Sequence, residues 1–242
     1  MVLNLNKIHT LKFASSKLLT FPLNIAYNNW ALAVTESIKF FGMHQDCCLT
    51  WKSHIDNLIN KWISICFMLR KLLPIVNVKV LHMVYFAHFY SFISCGLVFC
   101  GSSSSLRIVF IIQKREIRIM LRLGPRSSCR EGFKKLAIPM VPCLCIYALM
   151  LLAVKNLNIC KTNSSVLGMN TRQQNKLHIP SVRLSSIQRE VYYSSVKIFN
   201  QLPQSIFKYC NDIHTSKILL RDYLVEMPFI PLRNFYVLVI KM

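Results

Sequence analysis

The chemistry open to this chain is bounded by its carboxylates. Nine Asp and Glu occur among 242 residues, each standing alone. Two-metal phosphoryl transfer needs carboxylates that converge on ions roughly 4 Å apart. Asp46 and Asp56 are separated in sequence, one expected in a turn and the other at a helix start, so they form no such pair. His44, Cys47 and Cys48, and further on Cys143 and Cys145, lack the paired C-x2-C spacing of a zinc site. A Cys–His nucleophile needs a third group to position it, and the sequence offers none. No glycine-rich phosphate loop occurs. The reading is no catalytic residue, no metal site and no cofactor within this chain.

The cations are the opposite case. Thirty Lys and Arg leave a formal net charge of +21, a field that favours RNA, DNA or an anionic membrane face. A solvated basic surface with no specific partner is the plain alternative. At 100° per residue, Arg107, Lys114, Arg115, Arg118 and Arg122 fall within an arc of roughly 100° on one expected helix. Phe110, Ile112, Ile117, Ile119, Met120, Leu121 and Leu123 occupy most of the rest, and Glu116 lies outside the arc. Such a cationic amphipathic helix has three uses. Its arginines can meet phosphates, releasing counterions. It can lie on an anionic membrane with its apolar face at the headgroup boundary. Or it is a core helix with a solvated face.

These residues need elements to hold them. Up to about residue 45 the chain reads as short extended segments, Leu11 to Phe13, Leu23 to Tyr27, Leu32 to Thr35 and Ser37 to Phe41, with a tight turn at Asn28 and Asn29. Helices follow. Ser53 and Asp56 form a capping-box pattern, and Ile55, Leu58, Ile59, Trp62, Cys66, Leu69 and Leu73 then define one helix face before Pro74. A second helix is expected from Val78 to about Phe99, apolar all round and hence interior. The basic helix begins after the Ser102 to Ser105 run and stops at Gly124 and Pro125. Ser128 and Glu131 suggest a second capping box opening a short helix through Leu136, and Pro142 suits the first turn of an apolar helix reaching Asn156. Periodicity is lost from Asn158 to Ser186, a linker or long surface loop. Tyr192, Val196, Phe199 and Leu202 restore it, and a last helix runs from Thr215 to Glu226. The fold class is therefore mainly α with a small N-terminal β portion (α+β), a helical thumb-like bundle.

With 53% hydrophobic residues the chain can bury a real core. Ten Cys do not read as a disulfide scaffold, because Cys66, Cys95, Cys143 and Cys145 sit inside apolar runs as small hydrophobes. That points to a reducing, intracellular compartment, nucleus or cytoplasm, and makes the sequon at Asn163 incidental. Lys7, Lys12 and Lys17 with intervening serines resemble transit-peptide composition, but no apolar core of signal-peptide length lies near Met1. Val80 to Leu106 carries no formal charge and is long enough to span a bilayer, yet His82, His88, Ser91 and Ser94 interrupt it and favour a buried helix.

The order of motifs resembles the region after the catalytic palm motif in reverse transcriptases of non-LTR retrotransposons, most like the jockey group. Leu3-Asn4-Leu5-Asn6-Lys7 through Phe13 resembles "LSLNxxKT…F". Lys39-Phe40-Phe41-Gly42, Asp46, Leu49 and Trp51-Lys52-Ser53-His54-Ile55 resemble "KFLGxxxDxxLxWxxHI". Ser94-Cys95-Gly96 to Gly101 is similar to "SYGxxxWG", and Gln113 to Ile119 to "QKRAIRII". Ser128-Cys129-Arg130 with Phe133-Lys134 matches "SCRxxFK". Asn170-Thr171-Arg172 looks like "NTR", and Tyr192 to Pro203 like "YYSGxxxFNxLP". Phe41, Cys95, Cys100 and Glu116 stand where the family has Leu, Tyr, Trp and Ala, which suggests relaxed selection or a divergent copy. A final "FYS" landmark survives at most as Phe235-Tyr236.

The resemblance implies an end of palm with a primer-grip-like hairpin at 1–45, a helical thumb-like region at 46–157, the linker at 158–186 and a distal helical region at 187–242. It implies a primer grip at Phe40, Phe41 and Gly42, and nucleic-acid contacts from Arg107, Lys114, Arg115, Arg118, Arg122 and Arg130. The implied partners are RNA and DNA template–primer, with a membrane the lesser alternative. The parent enzyme would use Mg²⁺ in an upstream palm. No "FADD"-like pair exists in this chain, so it is expected to be inactive alone.

Overall fold

A computed structural model describes residues 8–13, 25–27, 30–94, 96–101, 106–168, 172–188, 190–210 and 212–226. It is mainly helical with small N-terminal strands. Of the motif segments, those at Leu3 to Lys7, Cys95, Asn170-Thr171 and Phe235-Tyr236 lie outside the described residues, as do the turn at Asn28 and Asn29 and the Ser102 to Ser105 run.

The strands form three separate two-stranded ladders. β1 (His9–Leu11) runs parallel to β4 (Ala33–Thr35), and β2 (Ala26–Tyr27) antiparallel to β3 (Trp30–Ala31). β5 (Ser37–Phe40) pairs antiparallel with β6 (Met43–Asp46), Phe40 facing Met43. The turn between them is Phe41 (φ 47°) and Gly42 (φ 80°). Positive φ at both central residues makes a turn whose twist matches the flanking strands. Gly42 adopts it freely; Phe41 does so against the clash of its Cβ.

Asp46 then ties the hairpin to the first helix. Thr50 donates to its carboxylate through the backbone N–H (2.7 Å) and through Oγ1 (2.6 Å). This tight turn carries the chain into α1 (Lys52–Leu72) early, with Trp51 at the N-cap in the left-handed region. The capping box expected from Ser53 and Asp56 is therefore not formed. Ser53 is already inside the first turn, its Oγ buried without a partner. The apolar face is as expected: Ile55, Leu58, Trp62, Cys66 and Leu69 are buried.

The segment expected as one interior helix is helical without a gap from Val78 to Ser94, but it is neither regularly α nor interior. It comprises α2 (Val78–Tyr85), a π turn (Phe86–Tyr90), α3 (Ser91–Ser94) and α4 (Leu97–Cys100), with Gly96 at φ 87° before the last. Only one side is buried, at Leu81, Tyr85, Phe89, Ile93 and Leu97; Met83 and Phe99 face solvent. These buried positions recur at every fourth residue. Four residues overshoot an α turn by about 40°, so the stripe would walk round a regular helix. The wider π turn winds it back. At Gly96 a Cβ would stand 2.6 Å from Met43 Sδ, so the β5–β6 hairpin seats against the bundle where no side chain fits.

The basic helix is α5 (Leu106–Met120), followed by α6 (Arg130–Lys135). α6 lies close on α5, since a Cβ on Gly132 would meet Leu121 and Ile117 under 3 Å. Its expected capping box is absent as well: Cys129 is the N-cap, and Ser128 Oγ accepts from Arg130 N at 3.4 Å. α7 (Val141–Lys155) opens on Pro142 as expected and is the interior element, buried on almost every side and packed by α4 and α5.

After α7 come α8 (Asn163–Leu167), α9 (Ser185–Gln188), α10 (Val191–Phe199), α11 (Gln204–Phe207) and α12 (Ile213–Glu226). α10 and α12 pack on α7. In the stretch expected as a loop, Leu177 is buried and pinned by Asn200, which accepts from its N–H (2.9 Å) and donates to its carbonyl (2.8 Å). One apolar cluster runs from Ile55 to Met150 and takes in Ile198, Ile206, Leu220 and Leu224. Among the described residues no helix is long and apolar enough to cross a membrane.

Candidate nucleic-acid interface

α5 is amphipathic because its residues sort cleanly by side. Leu106, Val109, Phe110, Ile112, Ile117 and Met120 are buried against α1, α2 and α7. Arg107 and Arg115 face solvent, Lys114 and Arg118 are half-buried, and Arg130 is exposed at the start of α6. Between the arginines lie Ile108 and Ile111, 45% and 49% exposed, so the face is cationic and apolar by turns.

Arg118 and Arg122 are engaged by backbone carbonyls of the fold. Arg118 Nε donates to Ser127 O at 2.9 Å and so anchors the loop leading to α6. Arg122 is not on the helix at all: α5 ends at Met120, and Arg122 has φ 54° in the following turn. Its guanidinium donates to Leu73 O at 3.1 Å, satisfying a carbonyl at the C-terminal end of α1. The stripe expected over 107–122 is thus shorter, because the chain turns before Gly124. Lys114 Nζ stands 4.2 Å over the Phe110 ring, and burial lowers its ammonium from the ordinary range.

The side of α5 opposite the stripe carries two polar residues whose roles the sequence reading did not identify. Gln113 is fully buried and fully satisfied. Its Nε2 donates to Tyr85 Oη and Pro139 O, each at 2.9 Å, and its Oε1 accepts from Val141 N at 2.9 Å. One side chain therefore joins α5, α2 and the entry to α7. Glu116 is 0% exposed, with Oε2 unpartnered and Cys66 Sγ 4.0 Å from Oε1. Burial raises its carboxyl well above the usual range, and burial together with Glu116 pushes the Cys66 thiol up to about 12. A signal was available. On the projection that defined the stripe, both positions lie about 150° from its centre, among the core residues.

The hairpin residues Phe40, Phe41 and Gly42 form the β5–β6 tip, with Phe41 81% exposed and its ring 4.3 Å from that of Phe40. His54 at the base is buried, and its Nδ1 accepts from His44 N at 3.4 Å. Burial lowers its imidazole below the ordinary range, with His44 and Lys61 adding to the effect.

Among the described residues no group of three or more His, Cys, Asp or Glu is placed to hold a metal ion. Asp46 is held in its turn by Thr50, and Asp56 is exposed on α1. No protein-family model, no curated protein and no solved structure matches the chain.

Proposed function

We propose that the chain is a nucleic-acid-binding C-terminal fragment of an RNA-directed DNA polymerase of a non-LTR retrotransposon, catalytically inactive alone. The observation that carries this reading is the exposed cationic face of α5, with Arg107 and Arg115 in solvent on a helix whose other side is locked into the core. The ordered motifs of the sequence supply the family, and the solvent-facing Phe41 at a two-residue turn suits a primer-grip tip. Phosphate contacts of this kind hold a backbone without reading bases.

The rival reading is a membrane-associated helical protein with a basic interfacial helix. Exposed Ile108 and Ile111 favour it. Against it, the apolar face that such a helix would bury among headgroups is already occupied by α1, α2 and α7.

The test uses Arg107 and Arg115, because Arg118 and Arg122 also hold the fold. Each phosphate that a protein neutralises on duplex DNA contributes about 0.9 to the salt slope. Arg107→Gln with Arg115→Gln should therefore weaken labelled RNA and DNA duplexes alike and reduce the log–log salt slope by about 1.8. Unchanged duplex affinity, with release from anionic liposomes, sinks the proposal in favour of the rival.

A further inference from the structure

A cleft of about 410 Å³ opens between α2 with its π turn, α7 and α12, on residues that play no part in the α5 stripe. Its walls are apolar and aromatic, with Phe86, Leu144 and Leu224 prominent. Besides His82, whose Nε2 is hydrogen-bonded with Leu136 O at 2.9 Å, three polar groups stand at it: Tyr90, Tyr147 and Arg221. Among the described residues none of the three has a hydrogen-bond partner. They are close enough to sense one another: burial raises the Tyr147 phenol, Tyr90 adds to that, and Arg221 opposes it. A second cleft of about 250 Å³ shares Tyr90, Leu144 and Tyr147 and continues along α7 to Lys155. No Asp or Glu lines either cleft.

That combination selects a ligand class. A volume within the ordinary range for small-molecule sites, apolar walls and a few polar groups on the lining fit a small-molecule site. The donors without a partner among the described residues are two phenol hydroxyls and a guanidinium, whose planar fork matches a carboxylate. With no acidic group to repel an anion, and a strongly positive chain around it, a cationic head is excluded and a neutral one leaves Arg221 unused. The aromatic and aliphatic walls call for a hydrocarbon body.

We propose that this cleft binds a medium- or long-chain aliphatic carboxylate, its head on Arg221 and the Tyr147 and Tyr90 hydroxyls and its chain against Phe86, Leu144 and Leu224. The site is separate from the α5 face and stands whether or not that face binds nucleic acid.

Isothermal titration of the full chain with decanoate, kept below its micellar concentration, tests this. One saturable site per chain is expected, with acetate, the head alone, showing none. Arg221→Gln should weaken decanoate tenfold or more and Tyr147→Phe severalfold, while Lys155→Gln, at the far end of the second cleft, leaves it unchanged. Circular dichroism of each variant should match the parent, since Arg221 is exposed. Absence of saturable binding, equal affinity in Arg221→Gln, or loss only in Lys155→Gln overturns the assignment. Binding that appears only after the apolar segment 227–242 is removed assigns the cleft to that segment and overturns it equally.

Discussion

Glu116 shows how far one buried side chain can move a protein's pH response. Its carboxyl has lost water and gained no ion partner, so the folded state prefers it protonated. Below about pH 4 it is protonated in folded and unfolded chains alike and costs little. As pH rises past the ordinary Glu value, the unfolded chain releases the proton first. The folded state then binds more protons, and stability falls with pH until the raised folded value is passed. Glu116→Gln, which keeps the shape and removes the titration, should be more stable at pH 7 by on the order of 1–3 kcal/mol. That gain should shrink to near zero at pH 4; urea unfolding at both pH values checks it, and an equal gain at both would refute the burial argument. Gln113 is the contrasting residue, buried with every polar atom paired. Gln113→Leu strands the Pro139 carbonyl, the Val141 N–H and the Tyr85 hydroxyl, and should cost on the order of 3 kcal/mol. The midpoint in urea should drop with the slope unchanged. Neither role was read from the sequence, because polarity says nothing about which partners a core supplies.

At the scale of elements, amphipathic periodicity was the legible signal. The buried face of α1 and the opening of α7 at Pro142 follow from local sequence, because spacing and a missing N–H act without help from neighbours. The expectation for Val78 to Phe99 held for a helix as far as Ser94 and failed for its all-round burial, for a physical reason. An all-apolar composition hides which face is buried, and a stripe repeating every fourth residue fits a helix only through the π turn. Capping boxes failed similarly: the Asp46–Thr50 turn and the close seat of α6 set where those helices start. The β5–β6 tip offers an element-scale prediction. Phe41 occupies a left-handed conformation that Asn tolerates far better. Phe41→Asn should stabilise the chain by about 1 kcal/mol, read as a higher thermal midpoint. If the tip also meets a primer, as proposed, the same variant binds template–primer more weakly while melting higher, a divergence that a purely structural tip does not produce.

For the whole molecule, the decisive quantities are the charge of +21 and the absence of any adjacent carboxylate pair in the sequence. Highly purified protein should not extend a primer on RNA or DNA with Mg²⁺ or Mn²⁺, because among the described residues no carboxylates converge to hold two ions. Template-dependent extension abolished by Asp46→Asn would refute this, since Asp46 is otherwise occupied by Thr50. What the sequence determined by itself was set by short-range physics: the mainly helical class, the main helix faces, the proline start of α7 and the excess of cations. These depend on residues within a turn or two of each other. The tertiary structure alone decided which cations remain in solvent and which are engaged by carbonyls, as Arg118 and Arg122 are. It also decided that Gln113 is satisfied while Glu116 is stranded, and that Tyr90, Tyr147 and Arg221 meet at one cleft. Those outcomes join residues from α1, the π turn, α5, α7 and α12, and pairings across such distances are fixed only when the helices pack.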